Sequence, residues 1–247
     1  MGKGITVSIL NRSDKKIVTD AALEDFVKNA LQKQVSDDFF PAWNVDAQVS
    51  FEQNPRPGSW WLVILNYTDQ SNWFGYHVTE AGLPLAKVFA QTIERGGCNW
   101  TVSVSHELLE MLADPDINRM VCDSSFDPTR LPTPGEKSAR FYALEVCDPC
   151  ASDNDGYWIG PHKVSDFILP SWYQKESKRP FDKNNKILQP FALSDGGYVG
   201  RYSNEDGWQL IAGGKMAPYR DDIKLRGRTW LRTSNRWLWK RVPNGVI

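Results

Sequence analysis

A histidine and two glutamates lie close together in the stretch NWTVSVSHELLEMLADPD, residues 99–116. Glu107 follows His106 directly, and Glu110 stands one helical turn after the histidine. Side chains four residues apart are neighbours on a helix, so His106 and Glu110 can bind one ion. Imidazole nitrogen and carboxylate oxygen both bind zinc at about 2.0–2.2 Å. The spacing therefore predicts a metal site on a helix, with a carboxylate where a His-Glu-x-x-His helix has its second histidine.

Glu107 is the candidate catalytic residue of this motif. Beside a bound ion it could hold a water molecule and accept its proton, which is the role of the glutamate in His-Glu-x-x-His peptidases. The alternative is an ordinary amphipathic helix over residues 102–114 whose carboxylates face solvent. Asp114 falls on the same helical face, although Asp114–Pro115 can simply end the helix. The opposite face is apolar and consists of Val104, Leu108, Leu109 and Leu112.

Three segments of the chain together resemble a family of zincin-like metallopeptidases. They are HELLEMLADP from residue 106, ALEVCDPC from residue 143 and VSDFILPSW from residue 164. The family pattern combines a His-Glu-x-x-Glu helix with a downstream Glu-x-x-Asp element, and the resemblance covers roughly residues 5–175. It implies that His106 and Glu110 are metal ligands and that Glu107 is the general base. It also implies that Glu145 or Asp148 supplies a further ligand.

The third ligand is the open question of this predicted site, because a catalytic ion held by three protein groups keeps one position for substrate. Glu145 is the first choice, since a carboxylate at the end of a strand is better held than one in a turn. Asp148 could instead orient His106 through its second ring nitrogen, or Asp148–Pro149 could be turn chemistry alone. Weaker ligand candidates are Asp166, His77 and His162.

The chemistry expected of such a site is metal-dependent hydrolysis, with a peptide or protein as substrate. Zinc is the expected ion, although a carboxylate-rich ligand set also admits Ca²⁺ or Mn²⁺. A tyrosine could stabilise the oxyanion of the transition state. The candidates are Tyr142, Tyr157 and Tyr173.

The flanking elements predict an α+β fold that could position this helix. A strand at 5–10, a helix at 19–35, an alternating strand within 44–53 and a buried apolar strand within 59–67 precede it. The first crossover favours a parallel pair. Residues 75–92 predict an edge-like strand with a turn near Gly82–Pro84, because an edge tolerates the missing N–H of Pro84. The predicted architecture is a zincin-like mixed sheet with an edge strand and an active-site helix. A β-rich, Trp/Arg-rich C-terminal extension is added to it.

Two regions are expected: a metal-binding domain at 1–175 and a β/loop extension at 176–247, with a hairpin near 197–211. The stretch 124–138 predicts a surface loop. The tail at 215–247 carries nine Lys/Arg against two Asp, together with three tryptophans. Because the net charge of the chain is only −1, we expect the tail to dock an oligomer or assembly partner rather than nucleic acid. Plain packing against the rest of the chain is the alternative.

A non-catalytic alternative follows from the same tail: a structural or assembly subunit that keeps a zincin-like core. No apolar stretch approaches the roughly 20 residues that cross a bilayer, and no secretory signal is recognisable, so a cytoplasmic location is expected. Four cysteines are too few for a disulfide scaffold. For Cys122, Cys147 and Cys150, plain thiols are expected over a zinc site or a disulfide.

Overall fold

A five-stranded mixed sheet organises the first third of the chain in the computed structural model, which describes residues 4–69, 73–123, 139–203 and 207–213. The strand order is β2-β1-β3-β5-β4. The β2–β1, β1–β3 and β3–β5 pairs are parallel, whereas β4 is antiparallel to β5 at the edge. The strands are β1 (Ile5–Asn11), β2 (Ala47–Phe51), β3 (Trp60–Leu65), β4 (Gly75–Glu80) and β5 (Leu83–Phe89).

One face of this sheet is covered by helices, as the burial along β3 shows. Leu62 and Ile64 are fully buried, whereas Trp61, which precedes Leu62, is 39% exposed. Successive side chains of a strand point to opposite faces, so the apolar run of β3 supplies the core on one side only. The parallel pairing of β1 and β2 confirms the crossover predicted from the sequence.

The crossover helix is longer than predicted. It begins with α1 (Asp20–Phe26), capped by Thr19, whose hydroxyl accepts a hydrogen bond from the Ala22 N–H at 3.1 Å. It continues through two π-helical stretches, Val27–Leu31 and Gln34–Phe39, into α2 (Phe40–Trp43). The prediction ended near residue 35, at a polar run. The apolar face continues beyond that point with Phe39, which is fully buried. Packing of Phe39 against the core stabilises the additional helical turns.

Pro84 does not lie in the edge strand, which corrects the prediction. It belongs to β5, which lies between β3 and β4, and pairs with Thr79 of β4. Pairing of β5 with β3 begins only at Leu85, so Pro84 needs no N–H toward β3. The edge strand is β4.

The motif helix is α4 (Trp100–Ala113), preceded by α3 (Ala90–Arg95). It packs on β3, β5 and β4, while the crossover helix packs on β2. Phe26 and Trp100 bring the two helices into edge-to-face contact, with ring centroids 5.4 Å apart. Both helices therefore lie on the same face of the sheet.

A second, antiparallel sheet has the order β11-β10-β7-β6. The pairing of β10 with β11 confirms the hairpin predicted near 197–211, and β10 also pairs with β7. This pairing spans the predicted boundary at 175/176, so the sheet is continuous across it within the described residues. The strands are β6 (Met120–Cys122), β7 (Phe141–Ala143), β10 (Tyr198–Ser203) and β11 (Gly207–Ala212).

The remaining short elements lie between β7 and β10 along the chain. A hairpin is formed by β8 (Tyr157–Ile159) and β9 (His162–Val164), and short 3₁₀ turns occur at Asp148–Cys150 and Pro170–Tyr173. The mixture of helices and sheets confirms the α+β class. The predicted loop at 124–138 and the tail at 215–247 lie outside the described residues.

All four cysteines are free thiols. Burial raises the pKa of Cys147 and Cys150 well above its ordinary value, which keeps both in the unreactive thiol form. In the part of the chain that the structure describes, no helix is both long and apolar enough to cross a bilayer.

Candidate metal centre

Hydrogen bonds from the β8–β9 region anchor the N-terminal half of α4. Asn99 caps the helix, its side chain accepting from the Thr101 N–H at 3.0 Å. The Thr101 hydroxyl donates to the Lys163 carbonyl at 2.6 Å, and the Ser165 N–H donates to the Ser105 hydroxyl at 2.6 Å. The helix is therefore fixed one residue before the motif begins.

The polar face of α4 is buried, which contradicts the solvent-facing amphipathic alternative. His106 is the most exposed member of that face at 7%, and Glu110 and Asp114 have no exposed surface. Buried carboxylates are costly unless they are paired or bind a cation. The burial of this face therefore requires a compensating interaction.

His106, Glu110 and Asp148 form a group whose ligand atoms all lie within 4.8 Å of one another. His106 Nε2 lies 3.2 Å from Glu110 Oε1 and 3.2 Å from Asp148 Oδ1. Ligand atoms about 2.0–2.2 Å from a tetrahedral ion are separated by roughly 3.3–3.6 Å. One nitrogen and two carboxylate oxygens at this spacing fit a single divalent ion.

A short turn carries Asp148 to this group. Asp148 begins the 3₁₀ turn Asp148–Cys150, and the Pro149 carbonyl accepts a hydrogen bond from the Ser194 N–H at 3.0 Å. Gly197 approaches the same carbonyl so closely that a Cβ atom there would lie 2.1 Å from its oxygen. The segment around residues 194–197 thus supports the turn from behind.

Asp148 and Glu145 differ in what they face. Asp148 approaches His106 at Nε2, the nitrogen that also faces Glu110, so it lies in a ligand position and not at the second ring nitrogen. Glu145 is buried but belongs to neither ligand group among the described residues. Its charge acts on His77 instead.

A second group, which adjoins the first, consists of His77, Glu107 and Glu110. His77 Nδ1 lies 3.8 Å from Glu107 Oε2, and both side chains are buried. His77 Nε2 lies 3.1 Å from the Asp114 carbonyl oxygen. Glu110 belongs to both groups, so it joins the two sets of ligands.

Neighbouring carboxylates raise the pKa of both histidines. Burial lowers the pKa of His106, but the charge of Glu110 and hydrogen bonds to Asp148 and Glu110 outweigh it and raise the pKa to about 10. Burial likewise lowers the pKa of His77, but Glu107 and Glu145 are among the carboxylates that raise it to about 9. In the metal-free protein both imidazoles hold protons at neutral pH, so the cluster favours positive charge.

Asp114 ends the helix. Its carboxylate accepts hydrogen bonds from the backbone N–H groups of Asn118 and Arg119 at 3.0–3.1 Å. It also presents its carbonyl to His77. Asp114 is therefore a capping residue that orients a site histidine.

The predicted tyrosines make contacts elsewhere. The Tyr157 hydroxyl donates to Asp38 at 2.8 Å, and the Tyr173 hydroxyl donates to the Ala143 carbonyl at 3.2 Å. The Tyr142 ring packs on Phe191, with centroids 4.8 Å apart. None of these contacts reaches His106 or Glu110.

The other two weak ligand candidates also lie in other settings. His162 Nε2 lies 2.8 Å from Asp25 Oδ2. Asp166 is buried and forms a hydrogen bond with Asp182, and burial together with that neighbour raises the pKa of Asp166 to about 9. Both residues lie outside the two ligand groups.

His77 is the site residue that sequence reasoning ranked too low. Gly75, His77 and Thr79 alternate on β4 and share the face toward α4, where Thr79 donates to the Pro115 carbonyl at 3.0 Å. The alternation was readable in the sequence, but the face that it presents to α4 depends on the antiparallel pairing of β4 with β5.

Comparisons with protein families, with curated proteins and with solved structures found no match to this chain.

Proposed function

We propose that this protein is a metal-dependent hydrolase of the zinc metallopeptidase class. The observation that carries the proposal is the buried group in which His106 Nε2 lies 3.2 Å from oxygens of both Glu110 and Asp148. Two of these residues come from one helical turn, and Asp148 comes from a distant turn of the chain. A nitrogen and two oxygens at this spacing suit zinc. Because two of the three ligands are carboxylates, Mn²⁺ or Ca²⁺ could also bind.

The order of the elements supports a zincin-like architecture. Parallel strands are followed by the antiparallel edge strand β4 and then, after β5, by the motif helix α4. This is the arrangement that the resemblance of the three sequence segments implies. The C-terminal region from residue 215 would serve as an oligomer or partner-docking extension of this core.

Glu107 is the proposed general base. When bound, the ion would polarise the scissile carbonyl and lower the pKa of a water molecule. Glu107 follows His106 on α4 and belongs to the adjoining group, which supports a role in which its carboxylate would take a proton from that water. It would then pass the proton to the leaving amine.

A peptide is the proposed substrate. Strand β4 pairs with β5 on one side, and the described residues contain no strand on its other side. His77 of β4 belongs to the ligand group with Glu107 and Glu110. An extended peptide that added to the free edge of β4 would therefore run past the site.

Replacing Glu107 tests the hydrolase proposal. We expect Glu107→Gln to retain the first ion and to lose peptide hydrolysis by at least about 100-fold, the usual contribution of a general base. Glu94→Gln, at an exposed position on α3, is the matched control and should keep the wild-type rate. The measurement is turnover of a mixed fluorogenic peptide library by protein loaded with one equivalent of zinc. A wild-type rate in the Glu107 variant would refute the proposal.

The burial of the site favours one second candidate, a structural metal site in a non-catalytic assembly subunit. All members of both groups are at most 7% exposed, and structural zinc sites are closed whereas catalytic ones keep an open position. Under this alternative, removing the ion lowers the unfolding midpoint, and neither the wild type nor Glu107→Gln hydrolyses any peptide of the library.

A further inference from the structure

His77 has the hydrogen-bonding arrangement of a metal ligand. Its Nε2 lies 3.1 Å from the Asp114 carbonyl oxygen, which can only accept, so Nε2 keeps its hydrogen. The imidazole can then lose its other proton only from Nδ1. Metal-binding histidines commonly donate their second N–H to a backbone carbonyl in this way, which fixes the tautomer and the ring orientation.

Nδ1 of His77 points into the carboxylate cluster. The side chain is 1% exposed, and Nδ1 has no hydrogen-bond partner among the residues that the structure describes. Glu107 Oε2 lies 3.8 Å away, beyond hydrogen-bonding distance. Two ligands of one ion can be separated by up to roughly 4.2 Å, twice the metal–ligand distance, so this separation leaves room for an ion between them.

Four buried carboxylates lie in and beside the two ligand groups. They are Glu107, Glu110, Glu145 and Asp148, and no lysine or arginine is buried in the described part of the chain. A divalent ion in each group would bring positive charge next to these carboxylates, and buried carboxylates are favourable when they bind a cation.

We propose that His77, Glu107 and Glu110 form a second divalent-cation site, which shares Glu110 with the first site. Each group on its own satisfies the 4.8 Å spacing of ligand atoms. Glu110 has two carboxylate oxygens and can bind both ions. The second site has one nitrogen and two carboxylates, the same donor types as the first, and therefore takes the same class of ion.

Occupation of the second site would regulate the first. A Glu107 carboxylate that binds an ion cannot accept a proton from water, so the second ion would inhibit hydrolysis. This consequence rests on the proposed function, whereas the existence of the second site does not. Activity should therefore rise with the first equivalent of zinc and fall as the second binds.

Zinc titration of the metal-stripped full-length chain, followed by calorimetry and by elemental analysis after dialysis, tests the second site. We expect two equivalents in the wild type, the second binding at least about tenfold more weakly. His77→Gln should bind one equivalent. His162→Gln, which changes the histidine outside both groups, should still bind two. One equivalent in the wild type, or two in His77→Gln, would overturn the proposal.

A spectroscopic measurement on the wild type avoids any loss of folding in the variant. Two Mn²⁺ ions that share one carboxylate are magnetically coupled, so the second equivalent should reduce the electron paramagnetic resonance signal per ion. If the signals of two bound ions simply add, the proposal that the two sites share Glu110 is overturned. Two coupled ions in a protein that hydrolyses no peptide would leave the second site intact and would reject only the peptidase proposal.

Discussion

The backbone of Gly75 in β4 lies directly against the side chain of Glu107 in α4. A Cβ atom added to Gly75 would lie 2.6 Å from Glu107 Cγ and 2.7 Å from its Oε1. Real Cβ atoms do not approach other atoms so closely, so the carboxylate occupies space that only glycine leaves open. The edge strand thus fixes the position of the proposed general base.

Gly75→Ala should displace the Glu107 carboxylate without removing a ligand of the first ion. We expect peptide hydrolysis to fall on the order of 100-fold, because misplacement of a reacting group by about 1 Å costs that much. Zinc binding at His106 should persist. Gly4→Ala is the control, because a Cβ there meets no atom within 4 Å. The measurement is kcat/KM together with zinc content, and a wild-type kcat/KM for Gly75→Ala would contradict the prediction.

Asp148 and Glu145 can be distinguished by their effects on the first ion. Asp148 Oδ1 lies 3.2 Å from His106 Nε2, whereas Glu145 acts on His77. Asp148→Asn should weaken zinc binding by at least about 100-fold, the upper end of the roughly 10–100-fold cost of losing a supporting residue. Glu145→Gln should weaken it by no more than about tenfold. Competition with a chromophoric chelator measures both, and the reverse order would make Glu145 the ligand.

Gly197 should matter to the metal site although it belongs to the C-terminal part of the chain. Because its Cβ would lie 2.1 Å from the Pro149 oxygen, Gly197→Ala must push away the turn that carries Asp148. We expect the free energy of unfolding to fall by about 1–3 kcal/mol, as for overpacking, and zinc affinity to fall with it. Gly200→Ala on β10 is the control, since its nearest contact would be an ordinary 3.4 Å. Urea unfolding in the presence of a chelator measures the stability change, and equal stability of the two variants would contradict the expectation.

The local elements of the fold follow from the sequence because each depends on residues close together in the chain. The periodicity of α4, the β-branched strand β1 and the hairpin of β10 and β11 are of this kind. The sequence pattern predicts too short a crossover helix because tertiary burial of Phe39 extends the helix past a polar run. Local composition likewise predicts Pro84 at the sheet edge, since it does not reveal that β5 pairs with β3 only from Leu85 onward.

The candidate site likewise has a part that the sequence predicts and a part that depends on long-range contacts. His106, Glu107 and Glu110 share one helix, so their proximity is a local property that the spacing predicts. The position of Asp148 depends on a turn supported by residues near 197, and no local pattern reports that contact. The approach of His77 depends on the antiparallel pairing of β4 with β5. Long-range backbone contacts, and not residue types, decide which side chains from distant parts of the chain lie beside α4.

The buried carboxyl group of Asp166 leads to a prediction about stability that is independent of the metal centre. Its carboxyl accepts from the N–H groups of Phe167 and Asn184 at 2.8 and 3.0 Å. Burial and the hydrogen bond with Asp182 raise the pKa of Asp166 to about 9 in the folded protein, against about 3.9 in an unfolded chain. Between these values the folded state holds a proton that the unfolded state has released.

Rising pH therefore favours unfolding, with a slope of up to about 1.4 kcal/mol per pH unit from this group, until the pH passes about 9. Asp166→Asn keeps the acceptor oxygen and cannot ionise, so it should unfold at a higher urea concentration than the wild type at pH 8. The urea midpoints of the two proteins should converge as the pH falls toward 4, where Asp166 regains its proton in the unfolded chain as well. Urea midpoints measured at pH 4, 6 and 8 in the presence of a chelator test this, and a constant difference across the three values would exclude titration of Asp166 as its cause.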